Sequence, residues 1–225
     1  MRLLQFSTSH YCRKVRLALG LKGLAYGVEN LTPGLHRLRL GPLTGGLTTV
    51  PVLLPELEGE PIAIADSSRI VAYLDRLQPE PRLVPLGEAR SRDALQIEDW
   101  LDESIGTAVR FVYYDYRAGA GRDLDPSLAS QVVIQMVRRQ YGIRGAAVDL
   151  ARDRLDQALA WLKPRWEIPA QWLTDGPDPV IADLTAAALL SPLARLPEYR
   201  AAHPWLFERI VEIHQRCQEP LPPGL

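Results

Sequence analysis

The chain has 225 residues, and 47% of them are hydrophobic, which is enough to bury a core in one large domain or two small ones. Lys and Arg total 26 against 27 Asp and Glu, so the formal net charge is −1. This balance excludes the strongly basic surface of a typical nucleic-acid-binding protein. The two cysteines, Cys12 and Cys217, are too few for a disulfide framework or a zinc cluster. We therefore expect no nucleic-acid partner and no metal site.

Apolar runs are short throughout the chain. The densest run, residues 184–190, contains Thr185 and is far shorter than a membrane-spanning helix requires. The N-terminus lacks the long apolar stretch of a signal peptide, and the sparse cysteines suit a reducing compartment. We expect a cytoplasmic protein with no membrane partner.

The N-terminal segment predicts a strand followed by a helix. Residues 2–6 are largely apolar, and helical spacing follows at Tyr11, Val15, Ala18 and Leu19. Ser9 then stands at a helix N-terminus, where free N–H groups and a positive partial charge stabilise an anion, including a thiolate. Because serine is also a favoured N-cap, Ser9 alone indicates either a cap or a site.

The next segments predict three more strands. Residues 26–31 alternate like a strand, parallel to the first through a right-handed crossover. Residues 32–49 are rich in Gly, Pro and Thr and predict a surface loop with no more than a short turn of helix. Residues 50–54 predict a strand that starts at a proline, whose preceding peptide bond can be cis. Residues 62–64 predict the returning strand.

Asp66, Ser67 and Ser68 precede a second amphipathic helix. Its apolar residues, spaced i, i+3, i+4 and i+7, are Ile70, Tyr73, Leu74 and Leu77. A carboxylate and a hydroxyl therefore head this helix, and they indicate either capping or ligand binding.

The prolines between residues 78 and 87 indicate a stiff linker between two regions. We predict a first domain at 1–77, a linker at 78–87 and an all-helical domain at 88–225. The apolar stripe of its first helix is Ile97, Leu101, Ile105, Ala108 and Val112. The acidic residues around this stripe, which we assign to a solvated face, are Glu98, Asp99, Asp102 and Glu103. Four more helices are predicted at 127–141, 148–166, 181–196 and 204–217, and the tail 219–225 is expected to fray.

Taken together, these segments resemble the cytosolic glutathione S-transferase family in its serine-type, bacterial-like form. The residues that carry the resemblance are 9–19 (SHYCRKVRLAL), 50–53 (VPVL) and 66–74 (DSSRIVAYL), in the family's order and spacing. The resemblance covers nearly the whole chain. It implies an α/β plus all-α fold: an N-terminal thioredoxin-like domain (βαβ-ββα) and a C-terminal all-helical glutathione-transferase domain. It also implies a homodimer with a role in detoxification.

The same resemblance implies a site for glutathione as co-substrate. Val50, before a cis Pro51, would pair its backbone with the cysteinyl part of glutathione, and Asp66 and Ser67 would hold the γ-glutamyl end. Ser9 would then donate a hydrogen bond to the thiolate.

A second substrate, a small electrophile, would lie between the domains. The residues that cluster there are Arg110, Tyr113, Tyr114 and Arg117. Aromatic and Arg side chains suit a flat apolar or anionic electrophile, but at helical spacing they more often serve ordinary packing.

The energies required of Ser9 are modest. Lowering the pKa of a thiol by about two units from about 8.5 needs roughly 2.7 kcal/mol. A hydrogen bond to a charged group contributes about 1.5–3 kcal/mol and a helix terminus about 0.3–2 kcal/mol. One hydroxyl and one helix end are therefore sufficient.

Several alternatives stay open at this point. The chain could conjugate, reduce peroxides or isomerise; it could be a noncatalytic binding module; or it could be a thiol-disulfide oxidoreductase that uses Cys12. Thr49 stands where many relatives have a longer Lys or Gln that reaches the glycyl carboxylate, so we expect either a low affinity or a substitute in Arg37 or Arg39. Asp183 lacks the Ser or Thr capping partner usual in the family. His10 is expected on the solvent side of the first helix.

Overall fold

The computed structural model describes all residues, 1–225. A four-stranded sheet of order β2-β1-β3-β4 forms the N-terminal part. Strand β1 (Arg2–Gln5) is parallel to β2 (Gly27–Asn30) and antiparallel to β3 (Val52–Leu54), and β4 (Ile64–Ala65) is antiparallel to β3. Helix α1 (His10–Leu21) makes the predicted crossover between the parallel strands. The α/β part and the helical part that follows confirm the predicted fold class.

The remaining helices follow in chain order, with the longest connection, residues 167–180, before α8. They are α2 (His36–Thr44), α3 (Ser67–Leu77), α4 (Glu88–Asp99), a π-helical turn (Trp100–Ile105), α5 (Gly106–Ala118), a 3₁₀ turn (Arg122–Leu124), α6 (Leu128–Tyr141), α7 (Ala146–Trp166), α8 (Ile181–Leu190), a 3₁₀ turn (Ser191–Arg195), α9 (Pro197–Ala202) and α10 (Pro204–Arg216). The helices predicted after residue 88 are present within a few residues of their expected ends. No helix is long and apolar enough to cross a membrane.

Residues 32–49 contain a helix where the sequence predicts a loop. Helix α2 runs through Gly41 and Pro42 and ends at Gly45, which has a left-handed φ of 70°. Leu40 is its one fully buried residue, and the partly buried Leu43 packs against the same small cluster. The predicted loop is wrong because breakers near a helix end are tolerated and two apolar contacts are too few to form a periodic pattern.

The π-helical turn interrupts the long helix that the stripe from Ile97 to Val112 predicts. Tyr11 on α1 donates its hydroxyl to the carbonyl of Asp102 within this turn, at 2.8 Å. Gly106 follows the turn, and a Cβ there would lie 2.9 Å from the Tyr11 hydroxyl oxygen. Glycine therefore lets α1 approach α5 closely. Such π-helical turns occur frequently at functional sites.

The tail after residue 218 is docked and does not fray. Glu219 pairs with Arg16 of α1 at 2.5 Å, and His214 Nδ1 is 2.8 Å from the Pro220 carbonyl oxygen. Arg200 donates to the Gly224 carbonyl at 2.8 Å. The expectation of a frayed tail is wrong because Arg16 and Arg200 lie 203 and 24 positions from their tail partners, where no local pattern reveals them.

The sheet part and the helical part share one apolar core. Buried residues of α1 and α3 join those of α4, α5, α8 and α10 in a single cluster. The chain between α3 and α4 is also tied down, since the N–H groups of Leu83 and Val84 donate to the Asp75 carboxylate at 2.8 Å. The exact division at 1–77, 78–87 and 88–225 stays a prediction.

Candidate active site

The strand register brings three predicted segments to one end of the sheet. Leu4, near the carboxyl end of β1, pairs with Val52, at the start of β3, and Val52 pairs with Ala65, the last residue of β4. Ser9 follows β1, Val50 precedes β3 and Asp66 follows β4, so all three lie at this end. The N-termini of α1 and α3 both point to it.

Ser9 is the N-cap of α1. Its Oγ accepts a hydrogen bond from the Cys12 N–H at 3.3 Å, with an extended backbone (φ −70°, ψ 125°). A hydroxyl can accept and donate at the same time, so this bond leaves the Ser9 proton free to donate outward. Ser9 can therefore cap helix α1 and bind a ligand at the same time.

Asp66 caps α3 through one oxygen only. Oδ1 accepts from the N–H groups of Ser68 and Arg69 at 3.1 and 3.0 Å, whereas Oδ2 has no partner. Its backbone has a positive φ of 81°, which is rare for a residue with a side chain. Ser67 is the first residue of α3; it is 3% exposed, and its hydroxyl makes no hydrogen bond within the chain. One carboxylate oxygen and one hydroxyl thus stand free at this helix N-terminus.

Val50 and Pro51 lie between these two helix ends. The peptide bond that joins them is cis, as the sequence allows. Neither the N–H nor the carbonyl of Val50 has a backbone partner, so both are free to pair with an extended ligand.

His10, Tyr11 and Arg110 form the wall beside Ser9. The ring centroids of His10 and Tyr11 are 4.6 Å apart, and the Arg110 guanidinium lies 5.6 Å from the Tyr11 ring and 4.7 Å from that of Tyr141. Burial, with Arg110 and Arg13, lowers the pKa of His10 to about 3. The expected solvent-side His10 is wrong: the ring is half-buried and neutral, because Arg110 and Tyr11 cover it.

The four predicted second-substrate residues divide into two groups. Arg110 reaches the α1 N-terminus, and Tyr114 is half-buried beside Tyr113, with a ring-centroid distance of 5.5 Å. Arg117 is 5% exposed and donates to the Tyr113 hydroxyl at 3.1 Å and to Ser130 Oγ at 3.2 Å. The guanidinium of Arg117 is thus occupied in joining α5 to α6.

Cys12 and Cys217 are both free thiols with no exposed surface. Burial raises the pKa of Cys12 and raises that of Cys217 to about 12. A buried thiol with a raised pKa is a poor nucleophile, so the structure disfavours the Cys12-dependent oxidoreductase.

Of the two arginines considered for the glycyl carboxylate, one is already paired. Arg39 binds Glu29 of β2 in a bidentate contact at 3.0 and 3.3 Å on the outer edge of the sheet. Arg37 is exposed and makes no ion pair. Thr49 is exposed beside Val50.

A buried ionic cluster behind the site was missed by the sequence analysis. Lys14, with no exposed surface, bonds to Glu98, to Asp102 at 2.9 Å and to Ser68 at 3.2 Å. Glu98 and Asp102 are 6% and 8% exposed, so their assignment to a solvated face is wrong. One signal was present: Lys14 lies three residues after Tyr11 and four before Ala18, on the inward face of α1.

Helix α8 begins after Val180, which has no hydroxyl to cap it. Asp183 is fully buried and accepts from the N–H groups of Val180 and Leu173 at 3.0 and 2.8 Å. Burial raises the pKa of Asp183 to about 6. The Asp183 carboxylate therefore accepts the Val180 N–H at the start of α8, although Val180 has no hydroxyl that could cap the helix in return.

A cleft of about 570 Å³ lies away from Ser9, between the C-terminal end of α4 and helix α7. Its aromatic walls are Trp100 and Trp161, whose ring centroids are 5.3 Å apart. None of the predicted site residues lines it. No group of three or more His, Cys, Asp or Glu side chains is placed to hold a metal ion.

Comparison with known proteins identifies the N-terminal part. Residues 3–82 match the family model described as glutathione S-transferase, N-terminal domain. A comparison with curated proteins found no match.

Solved structures share the fold over the whole chain. A glutathione S-transferase from Methylobacterium radiotolerans, in complex with glutathione sulfonate, is 24% identical over 98% of this chain and 94% of that one, with a TM-score of 0.69. A beta-etherase from Sphingobium sp. strain SYK-6 is 18% identical over 95% and 94%, with a TM-score of 0.73. A maleylpyruvate isomerase from Pseudomonas aeruginosa PAO1 is 22% identical over 100% and 98%, with a TM-score of 0.60.

Proposed function

We propose that this chain, whose residues 3–82 match the N-terminal domain of glutathione S-transferases, is a member of that family that binds glutathione at the sheet end and activates its thiol through Ser9. The observation that carries the proposal is the convergence there of two helix N-termini with free polar groups. The Asp66 Oδ2 and the Ser67 hydroxyl lack partners within the chain, and the Ser9 hydroxyl, which accepts from the Cys12 N–H, can also donate to a ligand.

Each free group has a complement on glutathione. Asp66 Oδ2 binds the α-ammonium of the γ-glutamyl end, and the Ser67 hydroxyl and the α3 N-terminus bind its α-carboxylate. The free N–H and carbonyl of Val50, set by cis Pro51, pair with the cysteinyl residue as an added strand would. This pairing directs the thiol towards Ser9.

Ser9 acts as a hydrogen-bond donor and does not ionise. Its hydroxyl and the α1 N-terminus together stabilise the thiolate, so the thiol proton leaves to solvent at neutral pH. The thiolate then attacks an electrophilic carbon and forms a carbon–sulfur bond, while the displaced electron pair leaves with a leaving group or moves onto a conjugated acceptor that solvent protonates. Because structural neighbours include an etherase and an isomerase, we propose only that glutathione acts as the nucleophile and name no narrower reaction.

The electrophile would approach from the side of α5. Arg110 and Tyr114 line this approach, and Arg110 supplies a cation for an anionic or carbonyl-bearing substrate. We leave Arg117 and Tyr113 out of the binding set, because they bond to each other and Arg117 also bonds to Ser130.

We propose further that the protein is a homodimer in the cytoplasm. Helix α6 carries exposed apolar residues at i, i+4 and i+8, namely Leu128, Val132 and Met136. Such a stripe, the α6 stripe, suits burial against a second copy. Two free, buried thiols are compatible with a reducing compartment.

The test of thiol activation is the pKa of bound glutathione, followed by ultraviolet absorbance of the thiolate. We expect the bound thiol to titrate about two units below its free value of about 8.5. Ser9→Gly should raise this pKa by one or more units while costing only a few tenths of a kcal/mol as a cap, since Gly is tolerated there.

Ser127→Gly is the matched control, because Ser127 caps α6 through the same kind of bond, at 3.3 Å to the Ser130 N–H. It should leave the thiol pKa unchanged. An equal pKa for bound and free glutathione in the wild type, or an unchanged pKa in Ser9→Gly, would contradict the proposal.

A further inference from the structure

Lys14 places a buried ammonium where the two parts of the molecule meet. It projects from α1 with no exposed surface and contacts Ser68 of α3, Glu98 of α4 and Asp102 of the π-helical turn. Glu98 also accepts a hydrogen bond from Ser68 Oγ at 2.6 Å. Four elements are thus joined through one charged group.

The charges in this cluster do not cancel. Lys14 faces two carboxylates, and burial raises the pKa of Asp102, with Glu98 and Asp66 acting in the same direction and Lys14 opposing them. A buried ion pair seldom adds stability beyond what apolar residues of the same size would give. The cluster's clearer effect is to fix the relative positions of the four elements, since its donors and acceptors meet in only one arrangement of them.

Ser68 connects this cluster to the proposed glutathione site. It accepts from Lys14, donates to Glu98 and, through its N–H, donates to Asp66 Oδ1 at 3.1 Å. Ser67 lies between Ser68 and Asp66, whose positive φ must be held by its surroundings. The position of the turn at residues 66–68 therefore depends on Ser68.

We propose that Lys14 is a positioning residue for glutathione: through Ser68 it fixes the turn that presents Asp66 and Ser67 to the γ-glutamyl end. Affinity for glutathione is then set partly by an ionic contact between the sheet part and the helical part. This inference rests on the proposed function for its ligand, but the positioning of the turn is measurable without any ligand.

Lys22, the residue that caps the C-terminus of α1, provides a control. It is 3% exposed and pairs with Asp75 at 2.8 Å and with the carbonyls of Gln78 and Pro81 at 2.6 and 2.8 Å. Like Lys14 it is a buried, ion-paired ammonium, with one carboxylate partner where Lys14 has two, yet it holds the chain after α3 and does not contact the turn at residues 66–68.

The experiment compares Lys14→Met, Lys14→Arg, Ser68→Ala and Lys22→Met with the wild type. Calorimetric titration with reduced glutathione measures Kd, hydrogen–deuterium exchange measures the amides of residues 66–69, and thermal melting measures stability. Ser68→Ala removes the link without stranding a charge, so it serves if Lys14→Met does not fold.

We expect Lys14→Met or Ser68→Ala to raise the Kd for glutathione about tenfold or more and to speed exchange at residues 66–69. Lys14→Arg, which keeps a cation, should recover part of the affinity. Lys22→Met should lower the melting temperature while leaving Kd and this exchange unchanged.

Two results would overturn the inference: an unchanged Kd and exchange in both Lys14→Met and Ser68→Ala, or equal effects on both readouts in Lys22→Met. A wild-type protein that binds no glutathione would contradict the proposed function and the ligand named here. The exchange data would then still decide whether Lys14 fixes the turn.

Discussion

At the scale of single residues, the site residues act as helix caps and remain able to bind a ligand. Ser9 accepts from the Cys12 N–H, and Asp66 Oδ1 accepts from two N–H groups, yet each keeps one hydrogen-bonding function free. Capping fixes the side chain, so the free group is already oriented before the ligand arrives. A residue that caps a helix at the end of the sheet can therefore also bind a ligand.

The buried state of Cys12 leads to a prediction about redox chemistry. Because the thiol has no exposed surface and burial raises its pKa, oxidised glutathione should form no mixed disulfide with the native protein. Mass spectrometry should show the added glutathione mass only after denaturation, which is the control for burial. Glutathionylation of the native protein that disappears in Cys12→Ala would restore the oxidoreductase alternative.

At the scale of elements, the sequence predicted what is local. The spacing of apolar residues in α1 and α3 and the Ser and Asp before them indicated both helices and their first residues. Helix α2 was missed because only Leu40 and the partly buried Leu43 hold it against the sheet. The π-helical turn was missed because it depends on contact with Tyr11, a residue 91 positions away from Asp102. Contacts between residues so far apart leave no trace in the spacing of apolar residues along the sequence.

The same distinction applies to the candidate site. The motifs at residues 9, 50 and 66 could be found, since each is a short pattern beside a predicted element. The cluster of Lys14, Glu98 and Asp102 could not, because charged residues on a helix are usually solvated and only the packing of α1 against α4 buries them. Tail docking through Arg16 and Glu219 escaped prediction for the same reason.

The docked tail predicts a dependence of stability on pH. Burial lowers the pKa of His214 from its ordinary value of 6.5 to about 4, and Nδ1 bonds to the Pro220 carbonyl. Between these two values the unfolded chain binds a proton that the folded chain does not, so stability falls as pH falls. His214 should account for a loss of roughly 2 kcal/mol in the free energy of unfolding between pH 7 and 5.

His214→Asn checks this prediction by urea unfolding at both pH values. Asn can still donate to the Pro220 carbonyl but does not titrate, so its free energy of unfolding should fall less between pH 7 and 5. Asp183 and His10 also titrate at acid pH, and the comparison between variant and wild type cancels their contributions. Equal pH dependence in the two proteins would show that His214 is not buried in its neutral form.

At the scale of the whole molecule, the α6 stripe predicts a dimer. Leu128 and Val132 are 85% and 61% exposed, which is unusual for apolar residues one helical turn apart. Val132→Asp should convert the wild-type dimer to a monomer of 25.1 kDa in analytical ultracentrifugation. Leu150→Asp, at an exposed apolar residue of α7 outside the stripe, is the control and should stay dimeric. A monomeric wild type, or a dimeric Val132→Asp, would refute this assembly.

At this scale the proposed function depends on whether the end of the sheet binds glutathione. The most direct measurement is calorimetric titration of reduced glutathione into the wild type and Ser67→Ala. We predict binding in the millimolar range or tighter, weakened roughly tenfold in Ser67→Ala, because one hydrogen bond to the ligand carboxylate is lost. The absence of heat and of competition at millimolar glutathione, or equal affinity in Ser67→Ala, would contradict the account.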